Sequence, residues 1–447
     1  MGHPKAFFRI KGRPPALAFL LLPYNVHSGI LTHMRSAQDR IARGFNAQSA
    51  HDTPQISTPP EETATEITDI AESEDDLQAI DPSILGQAVV FGTDWTAATL
   101  IDQLRRGNIK LDPIFQRRDA WNPKRKSRFI ESIVLGLPIP QIVLAEAKDD
   151  RGSFLVIDGK QRLLSLQQFA GIGTDTVPLV LTGLKFRDEL NTKTYEDLQN
   201  DPKLRNHRNA FDNQPIRTVV VKNWQKEDVL YLIFHRLNSE TLPLSPQELR
   251  QALHPGPFLR FAAEYTQIPG GIHKALGIPK PDFRMRDVEL FVRYVAFQYN
   301  LNAYTGNLKS FLDDECKRLN SKWTTVEGDI RHKTEQMEEA IRASYEIFGD
   351  FSFRKYDGHN YETRFNRAIF DVMIYYLADD AIRKSALAKK AKVRNAYEGL
   401  SANRAFIKSV ETTTKSLDAT RTRFLTWGQT LSKALGIRIT LPSIGKS

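Results

Sequence analysis

The sequence predicts a mixed α/β domain followed by a mostly helical one, with a disordered region in front of both. Three observations carry this reading. Short β-rich runs at 141–144, 154–157 and 216–221 are interleaved with helical spacing as far as Trp224. From Glu227 onward the apolar periodicity is mostly helical. Residues 51–85 hold ten Asp/Glu and no Lys/Arg among Thr, Ser and Pro, a composition that cannot offset the entropy of ordering. The expected divisions are 1–85 as a disordered region, basic then acidic; 86–225 as the α/β domain; and 226–447 as the helical domain.

Composition bounds the class further. The 447 residues are 41% apolar, enough for real cores. A single cysteine, Cys316, excludes a disulfide framework and Cys-based zinc modules and fits a reducing, cytoplasmic setting. No apolar run approaches the roughly 18 residues of a membrane span. The longest candidate, 16–22, follows Lys5, Arg9, Lys11 and Arg13, but no small-residue cleavage site comes after it, so neither a signal peptide nor a membrane partner is expected. Met34 offers an alternative start. The net charge is +9, and because the acidic stretch masks part of it, the body of the chain is more basic still. A polyanionic partner such as nucleic acid or nucleotide suits that charge.

Order is expected from about Ala88-Val89-Val90-Phe91. Residues 96–106 have helical spacing through Leu100, Ile101 and Leu104, stopped by Gly107. The next helix opens on Asn122 as cap and Pro123 in its first turn. Phe129, Ile130, Ile133, Val134 and Leu137 form its apolar stripe, and Gly136, Pro138 and Pro140 end it. Its other face holds Lys124, Arg125, Lys126 and Arg128. The runs 141–144 and 154–157 flank the turn Asp149-Asp150-Arg151-Gly152 and predict a hairpin. A helix marked by Leu163, Leu164, Leu166 and Phe169 follows and closes at Gly171. Further helices are predicted over 229–237, 246–253, 287–299, 325–348, 364–377 and 402–435. No repeat of fixed period is present.

The strand-turn-helix Val156-Ile157-Asp158-Gly159-Lys160-Gln161-Arg162 gathers the residues best suited to chemistry. Glycine lets backbone approach a ligand, the first helical amides lack partners, and Lys160 and Arg162 place two cations at the positive end of the helix dipole. That is a phosphate site in outline. Asp158 could hold a metal or orient a water, and Gln161 could hydrogen-bond an attacking group, because phosphoryl transfer needs positioning and charge neutralisation. The plainer alternative has Asp158 capping the helix and the cations in solvent.

Several blocks in order resemble a known family. They are Asp112-Pro113-Ile114-Phe115-Gln116-Arg117-Arg118-Asp119-Ala120-Trp121, the helix exit Ser132-Ile133-Val134-Leu135-Gly136-Leu137-Pro138-Ile139-Pro140, and the Asp158-to-Arg162 turn. Phe234-His235-Arg236-Leu237-Asn238-Ser239, Leu244-Ser245-Pro246-Gln247-Glu248-Leu249-Arg250 and Arg286-Asp287-Val288-Glu289-Leu290 follow. Together, over roughly 88–380, they resemble the N-terminal domain of GmrSD-type modification-dependent restriction systems. That family is similar in fold to ParB and sulfiredoxin. The resemblance implies an NTP-hydrolysing sensor subunit of a prokaryotic restriction or anti-phage system, working with DNA and with a divalent metal, magnesium first, accompanying the NTP. Asp158, Gly159, Gln161 and Arg162 match the family's Asp-Gly-Gln-Gln-Arg motif, and Gln116 and Arg117 its upstream pair. Asp158 and Gln161 are then the catalytic candidates, with Asp158 also the metal ligand; Gln116, Arg117, Gly159, Lys160 and Arg162 are the nucleotide-binding ones. Lys160 departs from the family, which has Gln there, and a fixed charge either strengthens phosphate binding or disturbs hydrolysis. A non-catalytic nucleotide- or DNA-binding module is therefore the alternative. No nuclease domain is recognisable after residue 380, so DNA cleavage is either absent or left to a separate nuclease subunit.

Other readings compete locally. Asp158-Gly159-Lys160, with Asp149 or Asp150 upstream, is also the pattern of a metal-dependent nuclease. His207, Asn223 and His235 are spaced loosely like an HNH nuclease, without its usual context. Glu248 could serve as a catalytic acid, yet Ser245-Pro246-Gln247-Glu248 has the spacing of a capping box, which accounts for it structurally. Arg236 and Asn238 suit either a helix cap or a side approach to nucleotide. The basic run Arg383, Lys384, Lys389, Lys390, Lys392 and Arg394 offers a DNA-contacting face, through Lys389 to Arg394 above all, or simply a solvated one. Tyr375 and Tyr376 are expected in the core.

Overall fold

In the computed structural model, residues 87–111, 118–173, 177–237, 245–411 and 415–445 are described. The expected disorder of 1–85, and Gln116 and Arg117, lie outside them. Five strands, β1 (Val89–Thr96), β2 (Ile109–Lys110), β3 (Ile142–Glu146), β4 (Phe154–Asp158) and β5 (Pro215–Lys222), form one mixed sheet in the order β1-β5-β3-β4-β2. β3 and β4 are the expected antiparallel hairpin, while β3 runs parallel to β5 and β2 parallel to β4.

Period-two alternation sends Phe154 and Val156 to one face of the sheet and Leu155 and Ile157 to the other. The first face packs against α1 (Ala97–Arg105), α2 (Pro123–Val134), α3 (Lys160–Phe169), α4 (Tyr195–Asn200) and α5 (Arg205–Asn213), through Leu100, Ile130, Leu163 and Phe211 among others. The second face is covered by α6 (Glu227–Leu237) and α7 (Pro246–Leu253), whose Val229, Leu230, Phe234 and Leu249 meet Val143, Ala145, Ile157 and Val221.

A mostly helical region follows: α8 (Pro257–Tyr265), α9 (Gly271–Leu276), α10 (Arg286–Asn300), α11 (Leu308–Ser321) and α12 (Trp323–Phe348), then the hairpin β6 (Arg354–Tyr356) and β7 (Tyr361–Phe365). It continues with α13 (Arg367–Leu377), α14 (Asp380–Ala388), α15 (Lys390–Glu398), α16 (Arg404–Glu411) and α17 (Leu417–Leu435). Its core is continuous from Phe258 to Ile444. α10 is buried almost all round, as a central helix must be when apolar residues occupy every face. Two expectations change here. Arg364 and Phe365, read as helical, belong to β7, and 402–435 is two helices rather than one. Among the described residues no helix is long and apolar enough to cross a membrane.

Buried ion pairs tie these layers together. Arg118 donates to Asp287 Oδ1 at 2.6 Å, to Thr266 Oγ1 at 2.6 Å and to the Asp282 carbonyl at 2.8 Å. Arg250 Nε donates to Asp313 at 2.6 Å, and Lys309 bridges Asp313 and Asp228 at 3.0 and 2.8 Å. Burial alone would raise both carboxyls. The His273 hydrogen bond and Arg118 charge at Asp287, and the Arg250 and Lys309 charges at Asp313, outweigh it and hold both below the ordinary 3.8. At His254 burial wins and lowers the imidazole below 6.5. The pH dependence follows from these signs. His254 costs nothing above pH 6.5 and destabilises as the pH falls below it, whereas the carboxylate contribution is complete above about pH 4 and is lost through the lower folded-state values. Urea midpoints from pH 8 to pH 2 should show a loss in two steps, with His254→Gln removing only the first. A single step in the parent would contradict this.

Candidate functional site

β4 ends at Asp158, and Gly159 turns the strand into α3 at φ +97. That dihedral favours glycine, and an added Cβ would also crowd the Ile142 side chain at 3.1 Å. α3 starts with no side-chain cap. Asp158 instead accepts from Arg162 Nη2 at 2.9 Å, and the same nitrogen donates to the Gln141 carbonyl at 2.9 Å. Lys160 Nζ donates to Glu248 Oε1 at 2.5 Å, with both side chains 5% exposed. The arrangement with a capping aspartate and solvated cations is therefore not the one that forms. Gln161 Oε1 accepts the amides of Ala120 and Trp121 at 3.3 and 3.2 Å, which leaves its Nε2 as a donor.

These residues line one cleft of about 360 Å³. Its further wall is α2, which contributes the exposed Arg125 and Arg128, the former with its guanidinium 4.7 Å from the Trp121 ring centre. Four cations, Arg125, Arg128, Lys160 and Arg162, thus face two carboxylates, Asp158 and Glu248, and the surplus positive charge favours an anionic ligand. The corner leading in is fixed from beneath. Asp119 pairs with the buried Lys126 and accepts from Gln168 Nε2 at 3.1 Å, while Arg118 is buried against Asp287.

Arg125 and Arg128 were not site candidates from sequence, and Glu248, weighed there as a catalytic acid, was set aside as a helix cap. The signal for the arginines was their i, i+3 spacing on the face of α2 opposite its apolar stripe. Glu248 does complete the capping box, with Oε2 accepting from Ser245 N at 2.7 Å, and that role hid its second one at Lys160.

Other candidates fall apart in space. Asp150 sits in the β3–β4 turn, bound to Lys110 and Ser153, at the far end of the hairpin from Asp158; four residues of strand, roughly 13 Å, separate the two ends. His207 lies 3.3 Å from Glu189, and Asn223 lines a second cavity of about 470 Å³ with Lys148, Arg151, Lys222 and Trp224. That cavity opens at the opposite end of β3 and contains no motif residue. Arg236 is exposed, whereas the His235 side chain and Asn238 are outside the described residues. Tyr376 is buried and Tyr375 packs against the same core.

The basic run is largely committed to helix ends. Lys389 donates to the Leu435 carbonyl at the end of α17, Arg394 to Ile347 near the end of α12, and Lys390 pairs with Glu346 at 2.7 Å. Cations there satisfy carbonyls that a helix leaves unpaired and complement its dipole. Lys392 is exposed. Glu227, His254 and Asp313 bring ligand atoms within 4.8 Å of one another, yet Arg250, Lys309 and Lys317 already pair with these acids, so the cluster is an ion-pair network.

Residues 98–255 match the family model described as GmrSD restriction endonuclease, N-terminal domain. The match begins in α1, takes in β2 to β5 but not β1, and ends just after α7, which supplies Glu248. Neither the comparison with curated proteins nor that with solved structures gives a match.

Proposed function

We propose that the GmrSD-type N-terminal domain over residues 98–255 binds a nucleoside triphosphate in the Asp158–Arg162 cleft and hydrolyses it, as the sensor part of a DNA restriction or anti-phage system. The observation that carries this reading is the convergence of Arg125, Arg128, Lys160 and Arg162 on one cleft that also holds Asp158. A triphosphate with one divalent metal carries about the charge that these four cations leave after the two carboxylates.

The residues fit such a metal. Asp158 Oδ2 is taken by Arg162, its Oδ1 has no partner among the described residues, and magnesium is commonly bound through one or two carboxylates plus substrate phosphates. When bound, the metal would neutralise charge on the transferring phosphoryl group. The chain's own residues would do the rest: Arg128 and Arg125 hold phosphate, Gln161 Nε2 orients an oxygen by donating to it, and Trp121, held at its amide by Gln161, lines the cleft beside them. The resemblance assigns Gln116 and Arg117 to nucleotide binding as well. In fold we read the α/β domain as ParB- or sulfiredoxin-like, in a cytoplasmic protein. DNA would meet Lys392 and the exposed Lys384 and Lys390, and cleavage would fall to a separate nuclease subunit.

Phosphate release by the full chain with each NTP and magnesium, with and without DNA, tests the reading; no binding of any NTP would end it. Arg128→Ala should weaken binding about tenfold, the worth of one exposed charge-assisted contact, at unchanged melting temperature. Equal affinity would remove α2 from the site.

A further inference from the structure

We propose that the Lys160–Glu248 pair is exchanged when phosphate enters the cleft, so that nucleotide occupancy is read out through α7; the inference rests on the nucleotide reading above. Lys160 is the first residue of α3 and lines the cleft, but in the structure its charge is held by Glu248, 88 residues further along the chain. Glu248 uses its two oxygens differently. Oε1 takes Lys160 at 2.5 Å, and Oε2 accepts the Ser245 amide at 2.7 Å while Ser245 Oγ accepts the Glu248 amide at 3.1 Å. One carboxylate therefore both starts α7 and fastens that start to the motif.

A phosphate at the beginning of α3 competes for Lys160, since an ammonium gains more from a polyanion than from one carboxylate. Once Lys160 turns, Glu248 is left as a buried carboxylate beside phosphate, without its counter-charge. That state is costly. Its relief is movement of the α7 start toward water, which loosens the capping box. From α7 the change has a path: Arg250, two residues after Glu248, is locked to Asp313 on α11, and Lys309 carries the network on to Asp228 at the start of α6. Loss of the Glu248 anchor thus reaches the helical region through side chains already in contact. Glu248 acts here as a positioning residue for Lys160, and the exchange depends on the lysine: a Gln at 160 would give phosphate no charge to take away.

Glu248→Gln separates the exchange from the cap, because the amide oxygen can still accept from Ser245 N in the capping box while the charge that holds Lys160 is gone. Full-chain protein is titrated with each NTP plus magnesium, and hydrogen exchange of residues 245–253 is followed with and without NTP. In the parent, NTP should speed exchange at the start of α7. In Glu248→Gln, NTP should bind about tenfold tighter, and the start of α7 should exchange at the same rate whether or not NTP is present. Lys160→Gln should bind more weakly and leave α7 unresponsive. A purely structural Glu248 gives unchanged or weaker affinity in Glu248→Gln and no response of α7 in the parent, and either result overturns the exchange while leaving nucleotide binding intact. Failure of the parent to bind any NTP overturns both.

Discussion

Asp287→Ala is expected to lower stability by about 3–5 kcal/mol, the usual cost of leaving a buried charge without its partner. Asp287 accepts four hydrogen bonds: from Arg118 Nη1 and the Val288 amide on Oδ1, and from His273 Nε2 and the Asp282 amide on Oδ2. His273 Nδ1 accepts the Gly270 amide, so the ring carries its proton on Nε2 and cannot turn to another acceptor. Removing the carboxylate strands a guanidinium whose side chain is fully buried and frees the first turn of α10. Urea unfolding of the parent and variant at neutral pH measures the loss, and a difference below about 1 kcal/mol would show the charge relaxing into solvent. Removing both partners as Arg118→Met with Asp287→Leu should cost less than the two single losses added, because no unpaired charge then remains.

What sequence could read and what it could not divide along physical lines. α2 was legible to its first residue, because Asn122 and Pro123 are local signals and Asn122 Oδ1 does accept the Arg125 amide. The β3–β4 hairpin and the start of α3 were legible for the same reason. β1 was not read as a strand: it is an edge strand with its first four residues exposed, so no alternation marks it. β2 has two residues and exists only through its pairing with β4. The motif was found, but the partners of its charges were not, since Lys160–Glu248 and Arg118–Asp287 join residues 88 and 169 positions apart and only packing decides such pairs. The basic run was legible as a charged face but its internal partners were not. Its spacing showed a charged face, while the carbonyls at Leu435 and Ile347 that absorb two of those charges belong to helices distant in sequence.

Asp158→Asn should separate binding from turnover. Asn keeps an oxygen for Arg162, which now bonds Asp158 at 2.9 Å, so the start of α3 should hold its shape and the cleft its arginines. What is lost is the negative charge on the one carboxylate oxygen that has no partner among the described residues and that could hold a metal or align a water. Nucleotide affinity should stay within about threefold of the parent or improve, because the substitution also removes a charge that repels phosphate. Phosphate release should fall by at least about 100-fold, the scale on which hydrolysis depends on the group that positions metal or water. On the proposed reading the two outcomes would have different owners: binding would belong to the cations, turnover to Asp158. A nuclease built on Asp158 and Lys160 would behave otherwise, with the parent cutting plasmid DNA in magnesium and Asp158→Asn and Lys160→Gln both abolishing the cut. Phosphate release retained within tenfold in Asp158→Asn would take Asp158 away from the reacting atoms, whereas nucleotide binding without phosphate release by the parent would leave the cleft as a binding site alone.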